Sequence, residues 1–152
     1  MVKERILISS CLLGNPVRYD GKSKAIMHPQ IRLWQQQHRL LVICPEQAGG
    51  LPTPRPRAEQ RGDVVITEYG EDVTQAFKRG AEAALALCQQ HNIRYALLKE
   101  FSPSCGSQKI NDGSFSQRRI PGMGETAKLL HAHGINVYSE LTLTELISVI
   151  DQ

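Results

Sequence analysis

Three of the four cysteines in this 152-residue chain, Cys11, Cys44 and Cys105, share one local setting. Each follows a short apolar run and adjoins Pro, Gly or a small polar residue: Ser10-Cys11 after Ile6 to Ile8, Cys44-Pro45 after Leu40 to Ile43, and Ser104-Cys105-Gly106 in the loop beyond Arg94 to Leu98. A lone cysteine is usually a small buried hydrophobe, but three in matching loops are candidate ligands. Cys88 contrasts with them, because it recurs with Val73, Phe77, Ala81 and Ala84 on the apolar face of a predicted helix and is expected to pack there. Thiolates are soft ligands that suit iron-sulfur clusters or zinc rather than hard ions such as magnesium. No two cysteines form a CxxC pair, which argues against a zinc ribbon or a thioredoxin-type site. A structural zinc or a cubane cluster normally takes four protein ligands, so a set of three leaves one coordination position open. The residue types alone leave iron and zinc both standing.

Those thiols meet only if the elements before them run side by side. Ile6 to Ile8, Leu40 to Ile43 and Arg94 to Leu98 read as buried strands, with a fourth at Ile135 to Ser139. Helical patterns alternate with them at Pro29 to His38, at Asp72 or Thr74 to about His91, at Thr126 to His133 ahead of Gly134, and at Thr142 to Ile150. Alternation of this kind predicts an α/β fold, a Rossmann-like, mostly parallel sheet with helices on both faces. The loops leaving the carboxyl ends of parallel strands converge on one edge, which is where Cys11, Cys44 and Cys105 fall. Gly14, Asn15, Pro16, Asp20 and Gly21 mark a turn-rich loop after Cys11. Gly49, Gly50, Pro52, Pro54 and Pro56 predict an extended, stiff loop over Pro45 to Arg57 with no helix in it. Val64 to Thr67 is expected to be an edge strand or hairpin arm, and Asp112-Gly113 to turn a small hairpin excursion within Ile110 to Ile120.

With 41% hydrophobic residues, the chain has enough apolar surface for one core, and residues 1–152 are read as a single domain. A formal net charge of +3 and 5% aromatic residues speak against DNA and against a stacking platform for single strands. The apolar run before Cys11 is shorter than the roughly 7 residues a signal peptide needs, and no run reaches the roughly 18 of a membrane span. The protein is therefore expected to be cytoplasmic and off the membrane, where thiols stay reduced. The five histidines show no metal spacing, and His131 and His133 would point to different faces of their helix.

Several motifs in order complete the picture. Ser10-Cys11-Leu12-Leu13-Gly14 with Arg18-Tyr19-Asp20-Gly21, Cys44-Pro45-Glu46 with Gly49-Gly50-Leu51-Pro52-Thr53-Pro54-Arg55, Glu71-Asp72-Val73-Thr74, and Lys99 with Ser102-Pro103-Ser104-Cys105-Gly106 and Asp112-Gly113 resemble the DUF523 family. That family includes thiouracil desulfidases, and the match runs from about Ile6 to about Glu140. The resemblance implies a [4Fe-4S] cluster held by Cys11, Cys44 and Cys105, with Glu46 on the position of the catalytic acid/base and Ser102 on that of an assisting serine. It also implies a small thiolated pyrimidine as substrate, converted with water to the oxo-pyrimidine and sulfide without net redox change. Read from residue type alone, Glu46 equally suits a turn cap and Ser102 a turn starter. Arg18, Arg55 and Lys99 suit either the charge of a cluster or an anionic ligand, or else ordinary ion pairs. Gly49 and Gly50 suit a close backbone approach or a turn. Two competing readings are a module that carries sulfide or a cluster without catalysis, and a zinc-bound structural domain.

Overall fold

The computed structural model describes residues 4–14, 19–21 and 28–151; Asn15, Pro16 and Arg18 lie outside the described residues. The elements in chain order are β1 (Ile6–Ser9), α1 (Pro29–Gln36), β2 (Leu40–Ile43), α2 (Pro45–Ala48), β3 (Ala58–Arg61), β4 (Val64–Thr67), α3 (Thr74–Gln90), β5 (Tyr95–Leu98), β6 (Lys109–Asn111), β7 (Arg119–Pro121), α4 (Glu125–Ala132), β8 (Asn136–Ser139) and α5 (Leu143–Ile150). A single turn of 3₁₀-helix, Ser10–Leu13, leaves β1 and carries Cys11.

Four strands form one parallel sheet in the order β2-β1-β5-β8. Its strands read as continuous apolar runs because both faces are covered. Ile6 and Ile8 of β1 face α1 and α5, where they pack with Trp34, Leu97, Leu143 and Leu146. Leu7 faces the other way, toward Ala84 and Cys88 of α3 and Ala127 and Leu130 of α4. Cys88 is thus a core residue, as its helical spacing predicts, and burial pushes its thiol up to about 11. Gly134, at φ +81°, follows α4 as the left-handed residue that ends it.

The chain order reverses at β1, which has β2 on one side and β5 on the other. A crevice opens at the carboxyl ends of strands around such a switch point. The register makes these ends level: Ser9 is opposite Ile43, and Ile8 opposite Leu97. Two antiparallel hairpins, β3-β4 and β6-β7, stand outside this sheet. The first confirms Val64–Thr67 as a hairpin arm; its partner Ala58–Arg61 carries Glu59, Gln60 and Arg61 and has no apolar signature to find.

Two expectations need correction. The segment from Pro45 is not wholly extended, since Pro45–Ala48 forms the short helix α2. Pro at the first helical position loses no hydrogen bond, because that amide has no partner within the helix anyway. The start of α3 also differs: Val73 holds the N-cap position, and Asp72 accepts instead from the amide and hydroxyl of Thr74 at 2.9 and 2.6 Å.

Glycine explains where α2 sits. A Cβ on Gly49 would lie 1.9 Å from the Ala76 carbonyl oxygen of α3, and one on Gly80 would lie 1.9 Å from the Pro45 carbonyl oxygen. Each helix therefore leaves a gap that the other's backbone fills, next to Cys44 and Glu46. Gly50 is the turn residue, at φ +99° with open space around it. Gly80→Ala should push α2 off α3, destabilising the protein by about 3 kcal/mol or more. Urea unfolding and iron content after anaerobic reconstitution should both fall, although Gly80 is not itself a ligand.

Candidate active site

The loops after β1, β2 and β5 wall a cavity of about 550 Å³ that Cys11, Cys44, Glu46, Ser102 and Cys105 all line. These five residues are therefore brought to one place with Arg55 and Lys99, whereas Gly49 and Gly50 do not line the cavity. Cys11 and Cys105 are buried, Cys44 is half-buried, and no disulfide joins any of the four cysteines.

The three thiols are close enough to act on one another's charge. Burial pushes Cys105 up to about 12; a hydrogen bond from Ser9 opposes this, while the charges of Glu46, Cys11 and Cys44 add to it. Ser9 Oγ donates to Cys105 Sγ at 3.6 Å and accepts from the Lys99 amide at 3.1 Å, linking the ends of β1 and β5. Cys44 is also raised, first by burial, with the amides of Gln47 and Glu46 and the charge of Arg55 opposing and the charge of Glu46 adding. Buried thiols held this high are protonated near neutrality, and a thiolate set is stable here only with compensating positive charge such as bound metal.

Cys105 and Cys88 have folded values of about 12 and about 11 against 9.0 ordinarily. Below 9.0 both folded and unfolded chains keep these protons; above it the unfolded chain releases them first, so the metal-free fold weakens as pH climbs toward the folded values. At about pH 10 the loss should be about 1.4 kcal/mol for each thiol. Urea midpoints of the metal-free protein at neutral and alkaline pH should show this fall, and Cys105→Ala should show less of it.

Glu46 lies in the first turn of α2, where its Oε1 accepts from Arg55 Nε at 3.1 Å. Arg55 is buried and fixed further by Pro52 O and Thr53 Oγ1, at 3.1 and 3.0 Å. This pair orients Glu46 and leaves its Oε2 without a hydrogen bond among the described residues. Lys99 is paired in the same manner, 2.6 Å from Oε2 of Glu140, the first residue of a 3₁₀ turn after β8. Both cations line the cavity yet are committed to carboxylates.

Ser102 has a defined polarity. Its Oγ accepts from the amides of Ser104 and Cys105 at 3.0 and 3.1 Å. Both lone pairs are used, so what the hydroxyl offers the cavity is its proton. The turn-starter and site readings of Ser102 are thus one arrangement, which also aims Cys105.

Sequence patterns miss two buried carboxylates in this wall. Glu100, 2% exposed, is pushed up by burial but brought below the usual carboxylate range overall by hydrogen bonds from the amides of Gln108 and Ser107, the Ser107 hydroxyl and the Phe101 amide. Glu59, 4% exposed, reaches across to the β6-β7 hairpin. Phe101, just before the Ser102 motif, also lines the cavity: it holds φ +69°, rare for a bulky residue, and Arg119 stacks 3.6 Å above its ring centroid. The one signal for these is the density of polar residues flanking short strands.

Comparison with known proteins adds the remaining observation. The model of the family described as 2-thiouracil desulfurase matches residues 6–142, most of the chain and all of the cavity wall. The chain belongs to the 2-thiouracil desulfurase family. Among proteins of similar sequence is the uncharacterised protein YbbK of Bacillus subtilis (strain 168), 41% identical over 93% of this chain and 99% of that protein. Among solved structures, the [4Fe-4S]-dependent thiouracil desulfidase TudS is 54% identical, covers 97% of each chain, and superposes with a TM-score of 0.95. The resemblance to the DUF523 family and the α/β fold read from the sequence are both borne out. No helix among the described residues of this desulfurase-family chain is long and apolar enough to cross a membrane.

Three soft thiol donors on one wall match the ligand chemistry of an iron-sulfur cluster. The three thiols share a wall, yet among the described residues no three His, Cys, Asp or Glu side chains stand close enough to hold a single metal ion. A cubane takes one thiolate at each iron corner and so spreads its ligands wider than a mononuclear zinc does. Cys88, buried against the sheet, is not among the residues lining the cavity, so the thiol count there is three.

Proposed function

We propose that this protein is a [4Fe-4S]-dependent thiouracil desulfidase that hydrolyses the C=S bond of a thiolated pyrimidine, giving the oxo-pyrimidine and sulfide. The observation that carries this reading is the convergence of Cys11, Cys44 and Cys105 with Glu46 and Ser102 on one cavity, in a chain 54% identical to a desulfidase of that description. Cys11, Cys44 and Cys105 are the cluster ligands. Bound there, the cluster would supply a Lewis-acidic iron able to polarise the C=S bond.

Glu46 is the general base. Arg55 holds its Oε1, so Oε2 is the atom that receives the proton of the attacking water. Ser102, a donor only, hydrogen-bonds the oxygen or sulfur that gains negative charge as the C=S bond opens. Water contributes its oxygen to carbon and its two protons leave with sulfide, so atoms balance and no electron acceptor is required. A small, half-buried cavity of about 550 Å³ suits a single heterocycle. Four cysteines without a disulfide suit a reducing compartment, the cytoplasm.

The test is incubation of the anaerobically reconstituted protein with 2-thiouracil while sulfide and uracil are measured together. Equimolar formation of both is expected. A coloured, cluster-loaded protein yielding neither product from a range of thio-pyrimidines and thio-nucleosides would reduce it to a sulfide-carrying or cluster-binding module, and a colourless zinc-loaded one to a structural domain.

A further inference from the structure

The unexplained group in the cavity is Glu59 of β3. The residue is 4% exposed, and it lines the same cavity as the three cysteines. Oε1 accepts from the amides of Gly113 and Phe115 at 2.9 and 3.2 Å. That loop is built around the carboxylate: Gly113, Phe115 and Gln117 all have positive φ, at +92°, +56° and +65°. Alternation of this kind turns backbone amides inward as a nest for an anion. Arg61 Nη2 secures the loop further by donating to Gly113 O at 2.6 Å. A Cβ on Gly113 would lie 2.8 Å from Gln60 O, so only glycine fits against the strand.

Oε2 is different, because it makes no hydrogen bond among the described residues. No fully enclosed side-chain oxygen or nitrogen in the described structure lacks a partner, so Oε2 is the part of Glu59 that reaches the cavity. An acceptor left unpaired once a ligand displaces the solvent of the cavity is costly. Nearby cations are already engaged: Arg57 with Glu68, and Arg119 against Phe101. What the position lacks is a neutral donor from the ligand.

We infer that Glu59 is a specificity-determining residue whose free carboxylate oxygen accepts a ring N–H of the thio-heterocycle, so that the site selects substrates presenting such an N–H beside or near the thiocarbonyl. This rests on the desulfidase reading and adds which edge of the substrate is read. A site with a buried acceptor rejects analogues lacking the matching donor far more strongly than an apolar pocket rejects a changed methyl group.

The experiment compares 2-thiouracil with its 1-methyl and 3-methyl derivatives in the cluster-loaded wild type and in Glu59→Gln, which keeps an oxygen for Gly113 and Phe115 but turns a donor toward the ligand. In wild type, one of the two methylations should lower kcat/KM at least tenfold, chiefly through KM. In E59Q, 2-thiouracil should fall by a similar factor, and that methylation should cost little more. Titration of uracil and its two methyl derivatives, followed by heat, reads the same pairing without turnover. Wild-type insensitivity to both methylations overturns the inference even if E59Q fails to fold. So does an E59Q variant with wild-type kinetics, or one whose cluster spectrum is altered, which would make Glu59 a cluster ligand. A wild type that releases no sulfide overturns the desulfidase reading instead, and the uracil titrations still decide the role of Glu59.

Discussion

Cys11→Ala, Cys44→Ala and Cys105→Ala are each expected to emerge from anaerobic reconstitution with little or no cluster and no desulfidation, whereas Cys88→Ala keeps both. The effect is close to all-or-none because a cubane with three protein ligands has no spare thiolate, and two ligands hold it poorly. Iron and acid-labile sulfide counts, with the visible absorption of the reconstituted proteins, read the outcome directly. Cys88 serves as the internal control, since it is buried on α3 against the sheet and its loss removes packing volume alone. Its cost should be about 1–2 kcal/mol of stability with iron content unchanged. A Cys88→Ala protein without iron, or a Cys105→Ala protein with a full complement, contradicts the ligand assignment.

Glu46→Ala should keep the colour and lose turnover. Removal of a general base typically lowers kcat by about 10²–10⁴-fold, and here the lost group is one free carboxylate oxygen beside the cavity. Its partner complicates the alanine variant, because Arg55 is buried and would be left without its carboxylate. Glu46→Gln is therefore the cleaner companion: its amide oxygen still accepts from Arg55, and its cluster content and urea midpoint should stay near wild type while kcat falls as in Glu46→Ala. Loss of the cluster in Glu46→Gln would make Glu46 a structural residue. Ser102→Ala should be milder in chemistry and broader in effect, since Ser102 also accepts from the Ser104 and Cys105 amides that shape the ligand loop.

Much of this was legible in the residues because the chemistry lies at the ends of short apolar strands. Ile6 to Ile8, Leu40 to Ile43 and Tyr95 to Leu98 announce themselves by composition, and each points its following loop at the same edge. Parallel alignment then does what sequence spacing cannot, bringing thiols from positions 11, 44 and 105 to one cavity. The walls were harder to read. β3 holds its place through Glu59, Gln60 and Arg61, whose partners lie in the segments around Pro103, Gly113 and Met123, and polar residues with distant partners have no local period. The short helix α2 was hidden by a composition rich in Pro and Gly, which here serves to start a helix at Pro45 and to let Gly49 meet α3. Phe101 adopts its left-handed backbone because the surrounding loop fixes it, with its ring under Arg119, and no propensity foretells that.

The most direct measurement is a crystal structure of the reconstituted protein grown without air. It should show one cubane bonded to the sulfurs of Cys11, Cys44 and Cys105, with its fourth iron facing Glu46 and Glu59 and bonded to no protein atom. A cluster that omits any of those three sulfurs, or a fourth iron held by a side chain of this chain, would contradict the account.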